Sequence, residues 1–345
     1  MKLWTPVNFF VISLIVLFVH GAFGILFNAF DIRYWRCVMK RSAHCPDRDI
    51  KFYFYSSVTH RRKLIDVRSN VPLKYSGWDP DKKNVFIIHG FNGTERKVPM
   101  TYIRDAYLRR GDYNVFTVDW EPIARFPCYL SSISNTRLVA QCSAQFYSYL
   151  THNGASAEKT VCVGHSLGAH ICGMVSNHLD IKMHKIIGLD PARPLVDRFG
   201  GKSFKLTKDD AHVVQVIHTN AGLLGEHPQI GHVDFCVNGG RSQPACKNQR
   251  TRIRKSKIFS KLGSCFYLFI FFPGQARCSH FMSACYFSAT IADEGVRFKG
   301  VPCTASCKRI KGLEEFAVSM GEHTPETARG TYCLSVSHIK SCPFD

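Results

Sequence analysis

The sequence predicts an α/β fold: one domain built on a mostly parallel central sheet with helices on both faces. Two observations carry that expectation. Short apolar runs alternate with longer amphipathic stretches along most of the chain, the pattern of strands buried on both faces and joined by crossover helices. At one junction between such a run and a helical stretch stands Gly164-His165-Ser166-Leu167-Gly168, whose glycines permit a sharp strand-to-helix turn. Apolar residues form 45% of the 345 positions and charged residues 21%, which supports a buried core and excludes a disordered chain.

Taken in order, residues 49–57 (DIKFYFYSS) read as an early strand, and residues 85–89 (VFIIH) and 114–120 (NVFTVDW) as buried ones. Residues 136–150 read as an amphipathic helix, because Leu138, Cys142, Phe146 and Leu150 recur four apart on one face. Residues 160–164 form a short apolar strand and 167–179 a helix. Residues 185–189 and 213–217 are further strands of the same style. No internal repeat or low-complexity linker interrupts the series, so one domain is the economical reading.

The first 24 residues have a different character. Lys2 supplies a basic start, residues 9–19 an apolar stretch broken only by Ser13, and Ala22 and Gly24 the small residues before a cut. That stretch is shorter than the roughly 20 residues that span a bilayer. The expectation is a signal peptide over 1–24, a mature chain over 25–345, and secretion. An oxidising compartment makes the 15 cysteines disulfide candidates, and an odd number leaves at least one without a partner in the chain. The net charge of +19, from 45 Lys and Arg against 26 Asp and Glu, points to an anionic phospholipid or glycan surface. Nucleic acid is not expected, since no reader motif accompanies the charge.

Ser166 stands at the turn of the G-x-S-x-G sequence, at the start of a helix where partial positive charge favours a developing anion. A serine nucleophile needs a base, and the base an orienting carboxylate; on sheets of this kind they follow in the order Ser, Asp, His. Asp190 ends an apolar strand and precedes Pro191, which places a carboxylate where open α/β sheets build their sites. His280 is the best base in that order. Among 16 histidines, His218 follows a strand and is expected to pack, while His212, His227 and His232 read as loop or scaffold residues. For the oxyanion hole, a buried strand ends in His89-Gly90-Phe91, so the N–H groups of Phe91 and Leu167 are the candidate donors. Asn92-Gly93-Thr94 is an N-glycosylation sequon at the same mouth.

At these residues the chain resembles the pancreatic lipase family of secreted lipases, which includes lipoprotein lipase and the venom phospholipases A1. The matching blocks are His89-Gly-Phe91, Val118-Asp-Trp120, Gly164 to His170, Gly188-Leu-Asp-Pro-Ala192, Ile217-His-Thr219, Gly231-His-Val-Asp-Phe235, Asn238-Gly-Gly-Arg241 and Cys278-Ser-His280. They run in family order over roughly residues 35–340. The resemblance implies the α/β-hydrolase fold, with Ser166 as nucleophile, Asp190 as triad acid, His280 as base, and Phe91 and Leu167 as the oxyanion hole. It implies hydrolysis of lipid esters, either triacylglycerol or the sn-1 ester of phospholipids, at a membrane, lipoprotein or emulsion surface. The alternative is a catalytically silent lipid-binding or storage protein on the same scaffold, against which the intact Ser, His and Asp argue.

The sequence departs from many relatives in three places. Too few residues follow His280 for a C-terminal β-sandwich, which needs about 100, so none is expected. Where some relatives bind calcium, this chain carries Lys202, Lys205, Thr207 and Asp210. One carboxylate and a hydroxyl make a poor oxygen set for Ca²⁺, and neither metal nor cofactor is expected. The resemblance also places a lid over 246–278, closed by Cys246 and Cys278. Its text is unusual, passing from a basic cluster, Arg250 to Lys261, into the apolar run Phe266 to Phe272, which suits an interfacial segment and equally a solvated loop with a buried end. The expected disulfides are Cys37–Cys45, Cys128–Cys142 and Cys246–Cys278, with two more among Cys303, Cys307, Cys333 and Cys342. Cys162 and Cys172 are expected as packed thiols.

Overall fold

A computed structural model describes residues 37–41, 44–57, 61–69, 73–199, 201–247, 274–291, 298–337 and 342. The expected signal peptide, 1–24, and residues 248–273 of the expected lid lie outside them. The chain divides into Met1–Val38, of which Cys37 and Val38 are described, and a compact body, Met39–Asp345, that holds the whole sheet.

The strands are β1 (Lys51–Tyr55), β2 (Arg62–Ile65), β3 (Lys83–Ile88), β4 (Tyr113–Asp119), β5 (Thr160–His165), β6 (Met183–Leu189), β7 (Ala211–His218), β8 (Val233–Val237), β9 (Lys299–Pro302), β10 (Val318–Ser319) and β11 (Gly330–Leu334). The longer helices are α1 (Met100–Arg110), α2 (Tyr129–His152), α3 (Leu167–Ser176) and α4 (Gly274–Ser288). The strands form one sheet in the order β10-β9-β11-β8-β7-β6-β5-β3-β4-β1-β2. Pairing is parallel from β11 through to β4 and antiparallel at both margins.

The apolar runs follow from this burial. In β3, Phe86 and Ile88 point into a core they share with Leu138 and Phe146 of α2 and Ile171 of α3. Val85 and Ile87 point the other way, into a core shared with Ile103 and Tyr107 of α1 and Phe281 and Tyr286 of α4. Successive side chains alternate faces, so a strand covered on both sides must be apolar at every position. Each such side chain is worth roughly 1.5–3 kcal/mol on burial.

Helix α2 begins at Tyr129, seven positions before its expected start. Its first turns are rich in Ser and Asn, which weakened the apolar signal there. α1 was not expected. Its buried Met100, Ile103, Ala106 and Tyr107 do recur at helical spacing, and the helix ends at Gly111 (φ 84), whose N–H donates to Tyr107 O.

The disulfides differ from expectation in a way that helix geometry explains. Cys128 immediately precedes α2 and Cys142 lies within it. Fourteen helical residues span about 21 Å, far beyond the roughly 6 Å that a disulfide bridges. Cys142 instead pairs with Cys45, Cα–Cα 5.2 Å, which also overturns Cys37–Cys45; Cys37 and Cys128 are themselves disulfide-bonded. Cys162 and Cys172 are not thiols. β5 and α3 pack so closely that the two residues form a disulfide, Cα–Cα 5.8 Å. Cys246–Cys278 forms as expected. Cys303 pairs with Cys333, but Cys307 takes Cys236 and Cys342 takes Cys285. Cys265 lies outside the described residues.

Candidate active site

β5 ends at His165 and α3 begins at Leu167, leaving Ser166 alone at the turn with φ 58 and ψ −122. A non-glycine residue at positive φ is strained and persists only where its surroundings hold it. The flanking glycines make the turn possible. A Cβ on Gly164 would lie 2.2 Å from Gly168 O, and one on Gly168 would lie 2.1 Å from Ile88 O. Ser166 N donates to Leu189 O at 3.0 Å, which ties the turn to the end of β6.

The next residue beyond β6 is Asp190, fully buried. Its N–H donates to Ile217 O at 2.8 Å. Oδ1 accepts from Thr219 N (2.9 Å) and Asn220 N (3.0 Å), and Oδ2 accepts from His280 Nδ1 (2.6 Å). Three donors thus meet the oxygens of one buried carboxylate, which water does not reach. His280 stands on α4, and its Nδ1–H bond to Asp190 leaves Nε2 as the ring's acceptor. Ser166 and His280 line a common cavity of about 330 Å³, whose apolar wall includes Phe91, Phe126, Tyr129, Pro194 and Leu224. Among the described residues no hydrogen bond joins Ser166 Oγ to His280; such bonds often tighten only when substrate binds.

The other histidines have other partners. His218 is buried against Asp234, Nε2 to Oδ1 2.7 Å, and His232 accepts from Val214 N at 3.0 Å. His165, beside Ser166, donates from Nε2 to His280 O at 3.1 Å, with the two rings 4.7 Å apart. Burial, and then the charge of nearby His280, push its pKa down to about 3, so its ring is neutral at ordinary pH.

The expected oxyanion donors flank Ser166 from two sides. Gly90 runs so close that a Cβ there would lie 2.6 Å from Ser166 Cβ, which brings the Gly90-Phe91 backbone against the serine. Leu167 opens α3, and the first N–H groups of a helix have no intrahelical acceptor. The loop before Phe91 is clamped to the end of β4. His89 Nδ1 donates to Gly90 O (2.8 Å), His89 Nε2 accepts from Trp120 N (3.1 Å), and Trp120 Nε1 donates to His89 O (2.9 Å). Asn92 is exposed and lines the cavity mouth.

Sequence reasoning missed four supports: His89 with Trp120 as a clamp, the Thr219 and Asn220 amides on Asp190, His165 on the backbone of His280, and Gly225. All but Gly225 fall inside the motif blocks, or directly after one. In the stretch where some relatives hold calcium, Asp210 forms a reciprocal cap with Thr207, accepting from Thr207 N at 2.7 Å. Among the described residues, the group compact enough for a metal ion is Cys236, Cys303 and Cys333, and all three are in disulfides.

The family described as Lipase matches residues 34–317 of this chain. The chain belongs to the lipase family. Within it, Lipase member H-A of Xenopus laevis is 39% identical over 170 residues, which is 48% of this chain and 36% of that protein. Lipase member H of Rattus norvegicus is 39% identical over 168 residues, 48% of this chain and 37% of that protein. Phospholipase A1 member A of Rattus norvegicus is 36% identical over 182 residues, 52% and 39% of the two chains. The chain thus spans less than two fifths of the length of these lipase-family relatives.

Proposed function

We propose that this protein is a secreted serine lipase that hydrolyses carboxylic esters of lipids, acting as a triacylglycerol lipase or phospholipase A1 at a lipid surface. The observation that carries the reading is the 2.6 Å hydrogen bond from His280 Nδ1 to buried Asp190 Oδ2, on a histidine that shares a cavity with the strained Ser166. His280 Nε2 takes the proton of Ser166 as its oxygen attacks the ester carbonyl, and Asp190 stabilises the imidazolium. The carbonyl oxygen becomes an anion held by the N–H groups of Phe91 and Leu167, a contribution of about 3 kcal/mol per donor. His280 then gives the proton to the leaving alcohol, and an acyl-enzyme on Ser166 remains. Water, deprotonated by His280, attacks the acyl carbon, and His280 returns that proton to Ser166 Oγ as the acyl–oxygen bond breaks and the fatty acid leaves. The apolar wall of the cavity suits an acyl chain, and the relatives' lipase and phospholipase names agree with a lipid ester.

The test is fatty-acid release from dioleoyl phosphatidylcholine and from triolein by purified protein beside Ser166→Ala. Release by the wild type and its loss in the variant is the expected result, and the faster substrate decides between the two lipid classes. Folded wild-type protein that releases nothing from either lipid would instead be a binding or storage protein.

A further inference from the structure

Among the described residues, the cavity shared by Ser166 and His280 has one fixed charge on its wall, and it is positive. Among its lining residues there is no carboxylate, and His165 is neutral; the remaining cation is Arg277. Arg277 lies three residues before His280 on α4, a spacing that puts the two side chains on the same face of the helix. Arg277 is exposed, and no described residue pairs with its guanidinium. Its backbone is held firmly. The next residue, Cys278, is bonded to Cys246, and Ser279 Oγ accepts from Gln243 N at 3.0 Å.

This placement discriminates between lipids. A neutral ester seated with its acyl chain on the apolar wall would displace water from a guanidinium that has no partner among the described residues and return nothing for it, which is unfavourable. A phosphate one glycerol carbon away from the scissile ester would meet that guanidinium, whose planar fork matches phosphate oxygens. Resting on the serine-hydrolase reading above, we propose that Arg277 is a specificity-determining residue that binds the headgroup phosphate of a glycerophospholipid substrate. It thereby selects phospholipid esters over those of uncharged glycerides.

The experiment uses monomeric short-chain esters, so that adsorption of a basic protein to an anionic surface plays no part. The quantity read is the ratio of kcat/KM for dihexanoyl phosphatidylglycerol to that for dihexanoylglycerol. The ratio is expected to exceed one in the wild type. Arg277→Gln is expected to lower it roughly ten- to hundredfold, the effect of losing one charged hydrogen-bonding partner. Arg277→Lys should restore part of the preference, and Arg277→Glu should lower the ratio further. A wild-type ratio at or below one overturns the proposal without any variant. So does an unchanged ratio in Arg277→Gln while both esters are hydrolysed. Hydrolysis of neither ester by the wild type would remove the serine-hydrolase reading itself, a separate result.

Discussion

Gly225 lies against the carboxylate of Asp190 so closely that a Cβ on it would sit 2.4 Å from Oδ1 and 2.6 Å from Oδ2. The loop carrying it folds back on itself through Gly225 N to Asn220 O (3.1 Å) and Leu224 N to Asn220 Oδ1 (3.0 Å). The same Asn220 donates its own N–H to Asp190. One short loop therefore both solvates the buried carboxylate and closes it from water. Gly225→Ala should push the carboxylate off its line to His280. Displacement of a catalytic group by about 1 Å costs on the order of a hundredfold in rate, and overpacking costs about 1–3 kcal/mol in stability. Steady-state kinetics and a melting curve on the one variant read both; activity equal to wild type would show that the loop yields without moving Asp190.

Asp190→Asn keeps the size of the side chain and an acceptor for the Thr219 and Asn220 amides, but its amide can face His280 Nδ1 as a donor. The ring would then favour the wrong tautomer, with Nε2 protonated and unable to accept from Ser166. A fall in kcat of about 10⁴ is expected, with KM changed far less. Part of the loss should return at high pH if the tautomer is its cause.

His170 makes stability depend on pH. It is fully buried on α3, donating from Nε2 to Ala192 O at 2.7 Å and accepting at Nδ1 from Leu206 N at 3.0 Å. Both nitrogens are committed to the neutral ring, and burial pushes its pKa down to about 4. The unfolded chain binds this proton near pH 6.5. The stabilisation is therefore complete above pH 6.5 and is lost as pH falls towards 4, by about 3 kcal/mol over the interval. Asp210, raised to about 6 by burial, acts in the opposite direction, losing stability as pH rises. The comparison must accordingly be between wild type and His170→Gln, by urea unfolding at pH 7 and pH 4.5. An equal pH dependence in the two proteins would count against the buried neutral ring.

The Cys45–Cys142 bond encloses a sequence separation of 97 and ties the segment before β1 to α2. Peptide mapping without reduction should yield a crosslinked fragment holding Cys45 and Cys142. Replacing both residues by alanine should cost about 2–5 kcal/mol of stability. A fragment joining Cys128 to Cys142 would contradict the continuous helix between them.

Five of the parallel strands, β3 to β7, were legible one by one because burial on both faces leaves an unbroken apolar run, and each lies within two residues of its expected ends; the parallel strands β8 and β11 were not expected. α4 was not, since its sequence from Gly274 to Ser288 mixes Gly, Ser, Cys and aromatic residues and has no amphipathic stripe. β9 and β10 are four and two residues long, too short to show a period. Ser166 could be singled out because the turn that displays it is written within five adjacent residues. Gly225 had no such signal; its neighbour across the contact, Asp190, is 35 positions away in the chain.

The sequence by itself determined the strand-turn-helix that strains Ser166, the alternation of strand and helix, and the family to which the chain belongs. Each depends on residues close together in the chain, where steric limits and hydrophobic periodicity act directly. Tertiary structure decided which histidine meets Asp190, which cysteine meets Cys45, and where the cation of Arg277 stands. Asp190 and His280 are separated by 90 positions and Cys45 and Cys142 by 97. Such pairs are brought within bonding distance only when the sheet closes and the helices pack on its faces, because local spacing exerts no force across that length of chain.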